Sequence, residues 1–311
     1  MRMGVFIVET TAEKTTVDEV VANAKAAEAA GFATAWVPHI PWSLDAFTAL
    51  TLAASVTDRI ELATGVVPTY PRHPMSMAQA AMSTQAVAGG RVTLGIGPSH
   101  PVVIENMYGI SYERPAAHTA DYVRALQACF ATGPDNNIVS YQGEFYKFAA
   151  MLDVPGSADV PVLVAALAPK MLQLTGELAQ GTVTFWADEH TVEDHVVPRI
   201  NKAAADVGRP APRIVVGMPV AVVDDVDDAR RRGAAMFSNY ESIPTYRRVL
   251  DRNTTPNPVD AALIGDEKTV RARLQRFADV GATDFMASAL GLGSDRTKSR
   301  DLTLEVLKEF T

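Results

Sequence analysis

Two of the six histidines follow directly on short apolar runs: His39 in Val37-Pro38-His39-Ile40 and His100 in Gly97-Pro98-Ser99-His100. Imidazole, with an ordinary pKa near ~6.5, is the natural proton donor or acceptor at neutral pH. At the ends of two strands of one sheet the pair is suited to acid–base chemistry; the plainer alternative for each is a buried, hydrogen-bonded side chain. Nearby, two apolar runs break into glycine, proline and hydroxyl residues, as Thr64-Gly65-Val66 leading to Pro68-Thr69, and as Gly97-Pro98-Ser99. Small, kinked residues at the carboxyl ends of parallel strands let a flat ligand approach the backbone. A third stretch, Ala165-Ala166-Leu167-Ala168-Pro169-Lys170-Met171, leaves an apolar strand and opens a helix with Pro169 at its first position. Free N–H groups at such a start bind phosphate without any special side chain. Lys170 either reinforces that or is simply solvated. Together the three stretches mark a place for a flat, phosphate-bearing cofactor beside a proton-transfer group.

The other titratable candidates carry less. Arg72 and His73 precede a helix opened by Pro74, and either contact an anion or fix the turn. His118 lies inside an amphipathic helix pattern and reads as structural. His190 and His195, with Asp188 and Asp194, superficially resemble metal ligands. Thr191-Val-Glu-Asp194 reads instead as a helix cap, and a metal needs convergent ligands, so none is expected. Cys129, the only cysteine, sits on an apolar helix pattern with Leu126 and Phe130 and reads as inert core. With no disulfide or CxxC pair possible, the chain suits a reducing cytoplasm.

These residues need elements to place them. Four segments repeat one step: AEAAGFATAWV, QAVAGGRVTLGI, ELAQGTVTFWA and FADVGATDFMA. In each, an alanine-rich helix end meets Gly31, Gly89–Gly90, Gly181 or Gly281 and a short apolar strand follows, so glycine is expected to stop the helix. Filling the gaps yields strands near residues 5, 35, 63, 94, 163, 184, 217 and 286, alternating with helices. The third is expected over Ile60–Val67 and the fourth over Arg91–Gly97. This is the (β/α)8 barrel pattern, here a single domain over residues 1–311. The runner-up, an open doubly wound sheet, usually opens with GxGxxG after strand one, where this chain has Thr10-Thr11-Ala12.

Three insertions exceed the minimal unit: Pro101–Arg114 after strand four, Asn137–Asp153 with a hairpin around Gly143 before strand five, and Asn239–Leu263 before strand eight. On the carboxyl side of a barrel such insertions build the substrate pocket. Trp36, Trp42, Trp186, Tyr70, Tyr108 and Tyr246 are candidate walls. A net charge of −8 argues against nucleic acid or an anionic membrane surface as partner. The opening apolar stretch is too short for a signal peptide, and no apolar run approaches the ~18 residues of a membrane span.

With these pieces placed, the chain resembles the bacterial luciferase-like superfamily of flavin and deazaflavin oxidoreductases, most closely its actinobacterial branch that uses coenzyme F420. The resemblance runs through AEAAGFATAWVP, IELATGVVPTYPRHP, GGRVTLGIG, the YQGEFY hairpin, VLVAALAPKML with ELAQGTVTFW, and GDEKTVRARL followed by GATDF. It implies a TIM barrel whose mouth holds the cofactor ring, with a non-prolyl cis peptide at Gly65–Val66 beneath it. Gly97, Pro98 and Ser99 would lie along the ring and ribityl chain, and Ala165 to Met171 would hold the phosphate. A homodimer through the early helices is implied as well. Sugar-phosphate dehydrogenases of this family carry Asp-His and Thr-Gly-Glu where this chain has Pro38-His39 and Pro98-Ser99-His100, which argues against glucose 6-phosphate and gives His100 the acid's role.

The expected activity is hydride transfer between C5 of F420 and a small organic substrate, with His39 or His100 as acid/base. One alternative keeps the fold but uses FMN as a monooxygenase. A second is a cofactor-free lyase with Lys170 as Schiff base.

Overall fold

Near-continuous apolar strands need cover on both faces, and here they obtain it by closing into a ring. The computed structural model describes residues 1–9, 14–133 and 135–311, so the Thr10-Thr11-Ala12 run lies outside the described residues. The barrel strands are β1 (Arg2–Phe6), β2 (Thr34–Val37), β3 (Glu61–Thr64), β4 (Val92–Gly97), β5 (Val162–Ala165), β6 (Gly181–Phe185), β7 (Arg213–Val222) and β8 (Asp284–Ala289). Each pairs in parallel with the next. Pairing of β1 with β8 closes the (β/α)8 barrel. All strand carboxyl ends therefore share one rim.

The interior is solid. Trp36, Ala63, Leu163, Val183, Val215 and Met286 fill it, and the partly buried Phe6, Val66 and Phe185 pack on them. Outside the ring, one large apolar core joins strands to helices. The amino-terminal end is sealed by charge: Arg213 pairs with Glu61 at 2.8 Å and Asp284 at 2.6 Å. Arg2 reaches both carboxylates, and Thr34 and Thr93 donate to Glu61.

Local chemistry accounts for most element boundaries. The helix Val17–Ala29 opens on a capping box between Thr16 and Glu19. Gly31, Gly90 and Gly281 stop helices with φ of 85°, 89° and 102°. Gly181 does not: the helix Pro169–Leu178 ends at Ala179, and Gly181 opens β6, where a Cβ would overlap the Arg213 carbonyl oxygen. Nor does Thr191 cap a helix. Asp188 accepts from the Thr191 amide at 2.8 Å, and Val192–Val196 forms a π-helical turn.

The third strand is shorter than the apolar run suggests. It ends at Thr64, and Val67–Pro68 pairs separately with Ile96 and Gly97. Between them the Gly65–Val66 peptide is cis. Thr64 Oγ1 donates to the Gly95 carbonyl at 2.7 Å and accepts from its amide at 2.8 Å, replacing the ladder bonds lost there.

The insertions form as expected in place. The helix Pro101–Asn106 follows β4, the hairpin Ile138–Gln142/Lys147–Met151 precedes β5, and the helices Pro244–Leu250 and Pro258–Ala261 precede β8. One further strand, Leu263–Gly265, extends β7. Among the described residues no helix is long and apolar enough to cross a membrane.

Candidate active site

His39, Gly65, Val66, the segment Gly97–His100 and the segment Ala165–Met171 all stand at the carboxyl ends of β2 to β5, on one rim. Three of them adjoin directly. A Cβ on Gly97 would sit 2.9 Å from Ala165 Cβ and 3.2 Å from Val66 Cγ2. Small residues thus meet above the floor formed by Phe6, Val66 and Phe185, leaving a flat apolar surface. Ser99 adopts a left-handed φ of 62°, and its carbonyl accepts from Tyr112 at 3.1 Å.

The two histidines have separate surroundings. His39 Nδ1 receives the Ala46 amide at 3.4 Å and lies 3.7 Å from the Asp45 carboxylate, which Arg72 holds at 2.8 Å. Burial lowers its pKa, Asp45 opposes that, and Arg72 adds to it, so the ring is neutral at pH 7 and the contact with Asp45 is not a standing ion pair. His100 has no carboxylate partner. Burial alone pushes its pKa down to about 4, and its buried Nδ1 has no partner among the described residues. Its ring packs 4.8 Å from that of Tyr246, which arrives from the insertion after β7 and also touches Phe185 and Tyr240. Burial raises the Tyr246 phenol far above its ordinary range and pushes Tyr112 up to about 12. The wall is uncharged at neutral pH.

At the end of β5 the helix Pro169–Leu178 has Ala168 as its N-cap, with no side-chain cap. Its first helical bond runs from Leu172 to the Ala168 carbonyl. Pro169 has no N–H, and among the described residues the amides of Ala168, Lys170 and Met171 have no acceptor. The carbonyls just before it are held inward: Thr182 Oγ1 lies 3.4 Å from the Ala166 oxygen and His195 Nε2 2.7 Å from that of Leu167. Donor amides with no internal partner at a helix start make an anion seat. Lys170 is exposed beside it.

The remaining candidates resolve into structural parts. His73 caps its helix and Arg72 pairs with Asp45. His118 stacks on Tyr70 at 3.9 Å and bonds the Tyr146 hydroxyl at 2.8 Å. Of the candidate walls, Trp36 lies inside the barrel, Trp186 is wholly buried, and only Tyr246 packs on a site residue. Cys129 is buried. Among the described residues no three His, Cys, Asp or Glu side chains converge as a metal site. A cavity of about 410 Å³ opens at the ends of β1 and β8 between Glu9, Met236, Arg296 and Arg300. It borders the site but includes none of the small residues at β3 to β5, so those residues rather than this hollow define the seat.

Asp45, Tyr112, Phe185 and His195 were not singled out as site residues from sequence. Only Asp45 had a local signal, as a capping residue five positions after Pro-His-Ile.

A sequence model of the luciferase-like monooxygenase family matches residues 1–284. The chain belongs to the luciferase-like monooxygenase family. It is an enzyme of the luciferase-like oxidoreductase type. Among its relatives in sequence is a 5,10-methylenetetrahydromethanopterin reductase from Methanolobus tindarius, 31% identical over 304 residues, covering 89% of this chain and 91% of that protein. Solved structures share the luciferase-like barrel. The coenzyme F420-dependent tetrahydromethanopterin reductase from Methanopyrus kandleri superposes with a TM-score of 0.78 at 22% identity, over 100% of this chain and 99% of that one. The oxygenating constituent of 3,6-diketocamphane monooxygenase from Pseudomonas putida, in complex with FMN, superposes with a TM-score of 0.73 at 16% identity, over 99% and 97%.

Proposed function

We propose that this protein is a coenzyme F420-dependent oxidoreductase that moves a hydride between C5 of the deazaflavin and a small organic substrate. The observation that carries the reading is the uncapped start of the helix Pro169–Leu178, on the same rim as the small residues of β3 and β4. The methanopterin reductase relative, and an F420-dependent protein of the same fold, support deazaflavin over flavin.

The residues present fit such a group. Three unpartnered amides suit a phosphate, the apolar floor suits a planar ring, and the buried, unpartnered Nδ1 of His100 marks a polar atom facing no protein acceptor or donor. When bound, the deazaflavin supplies two-electron hydride chemistry. The chain does the rest. The amides of Ala168, Lys170 and Met171 hold the phosphate. Gly65, Val66, Gly97, Pro98 and Ser99 leave room for the ring. Tyr246 and neutral His100 keep water out.

For the proton, His39 is better placed than His100. Its Nδ1 is anchored by Ala46, and Asp45 stabilises a positive ring, an arrangement that lets Nε2 give or take a proton. His100, with a pKa near 4 and no carboxylate, is a poor base at neutral pH.

The test is a titration of purified protein with F420 and with FMN, followed by addition of candidate alcohols or unsaturated ketones. Tighter binding of F420, with substrate-dependent loss or gain of its oxidised absorbance, supports the reading. Binding of FMN alone, with oxygen consumption on reduction, replaces it with the monooxygenase reading that the FMN-bound relative in fold favours. Lys170 is exposed on a first helical turn, without the desolvation a Schiff-base lysine needs.

A further inference from the structure

His195 entered the sequence analysis only as part of an unconvincing metal set, yet it is 4% exposed and spends its Nε2 on the Leu167 carbonyl at 2.7 Å. We propose that His195 is a positioning residue for the phosphate seat: by holding the Leu167 carbonyl it aims the Ala168 amide at the cofactor phosphate. The proposal rests on the reading of that helix start as the phosphate site.

The physical link is the peptide plane. A trans peptide is rigid, so the carbonyl of Leu167 and the N–H of Ala168 point in opposite directions. Fixing the first toward the protein fixes the second away from it. Ala168 has no side-chain acceptor with which to turn its own amide inward. The Thr182 hydroxyl, 3.4 Å from the Ala166 oxygen, restrains the preceding carbonyl in the same way but less closely.

His195 is built for this contact. A carbonyl only accepts, so the ring hydrogen resides on Nε2. Burial lowers the pKa and keeps the ring neutral, and the buried Nδ1 has no partner among the described residues to draw the hydrogen away. The residue sits in the π-helical turn Val192–Val196, a rare geometry that recurs at functional sites. The helix that follows, Val197–Asp206, packs tightly on the helix Pro169–Leu178. A Cβ on Gly176 would come 2.6 Å from the Ile200 carbonyl oxygen and 2.8 Å from Ala203 Cβ. The π turn therefore presents its histidine to the start of the helix that the next segment braces.

A merely structural tie would affect every ligand of the site alike. The test compares F420 with its dephosphorylated deazaflavin core, measuring dissociation constants by fluorescence for wild type, His195→Phe and His195→Gln, with thermal midpoints as a control on folding. The expected result is about a tenfold loss of F420 affinity in His195→Phe, a change within about twofold for the core, and recovery of most F420 affinity in His195→Gln, which keeps an N–H. Should His195→Phe not fold, His195→Asn, polar but too short to reach Leu167, takes its place. Equal losses for both ligands, or undiminished F420 affinity, overturn the role of His195. A wild-type protein that binds both ligands equally, or neither, overturns the phosphate seat and this role with it.

Discussion

Arg213 and Glu61, 152 positions apart in the chain, meet at 2.8 Å across the end of the barrel remote from the candidate site. The guanidinium also holds Asp284 at 2.6 Å. Removing one member of a buried ion pair costs more than the pair contributes, because the other charge is left unpaired. Arg213→Met is expected to destabilise the fold by about 3 kcal/mol, read as a shift in urea midpoint. Adding Glu61→Gln should restore part of the loss. An unchanged midpoint in the single variant would show the seal to be ornamental.

Stability is expected to fall with pH in two windows. Burial pushes His100 and His118 from 6.5 down to about 4, so the unfolded chain binds protons there more readily than the folded one. Their contribution is intact above 6.5 and is lost as pH falls toward 4. Glu61 is held at about 2 rather than 4.5, chiefly through Arg213 against the opposing effect of burial, so its stabilisation is intact above 4.5 and is lost as pH falls toward 2. Thermal midpoints measured from pH 8 to 3 should be level first and then decline from about 6.5. His118→Phe should flatten the upper window only, and Glu61→Gln the lower one only.

Asp45 separates charge from capping. Its carboxylate accepts from the Phe47 and Thr48 amides at 3.0 and 3.3 Å, which an asparagine also does, whereas only the charge raises the pKa of His39. In Asp45→Asn the apparent pKa of the kcat profile is expected to move down while the thermal midpoint holds. His39→Ala should lower kcat by ~10²–10⁴-fold with cofactor affinity retained. A kcat unaltered in His39→Ala would pass the proton to another group.

At the interrupted third strand, Gly95 has no room for a side chain. A Cβ would overlap the Thr64 carbonyl oxygen and come 3.1 Å from Val66 Cγ1. Because the overlap is with backbone, Gly95→Ala should displace residues 64–66, lowering both the thermal midpoint and cofactor affinity. Thr64→Val, which loses both hydroxyl bonds to Gly95 but adds no bulk, should cost about 1–3 kcal/mol. Calorimetry and cofactor titration of the two variants check this.

The ring was legible because each of its steps is local: an amphipathic helix, a glycine or an alanine end, a short apolar strand. Gly31, Gly90 and Gly281 announce themselves in this way, and so do the uncapped Ala168-Pro169 start and the Pro98-Ser99-His100 strand end. What stayed hidden depends on closure. Glu61, Arg213 and Asp284 look like ordinary strand-edge charges until three distant strands bring them together. The contact of His195 with Leu167 joins the segment after β6 to the segment after β5, and its π turn has no signature in Val192–Val196. Gly181 misled for the complementary reason: a glycine required by a neighbouring strand reads, in sequence, like one that stops a helix.

The roof that Tyr246 lays against His100 has a further implication. Every ionisable group in that patch of wall is kept in its electrically silent form, so it exerts no long-range pull on ions in solution. Choice among substrates there falls to outline and to single hydrogen bonds, and Michaelis constants measured from dilute buffer to strong salt should scarcely move.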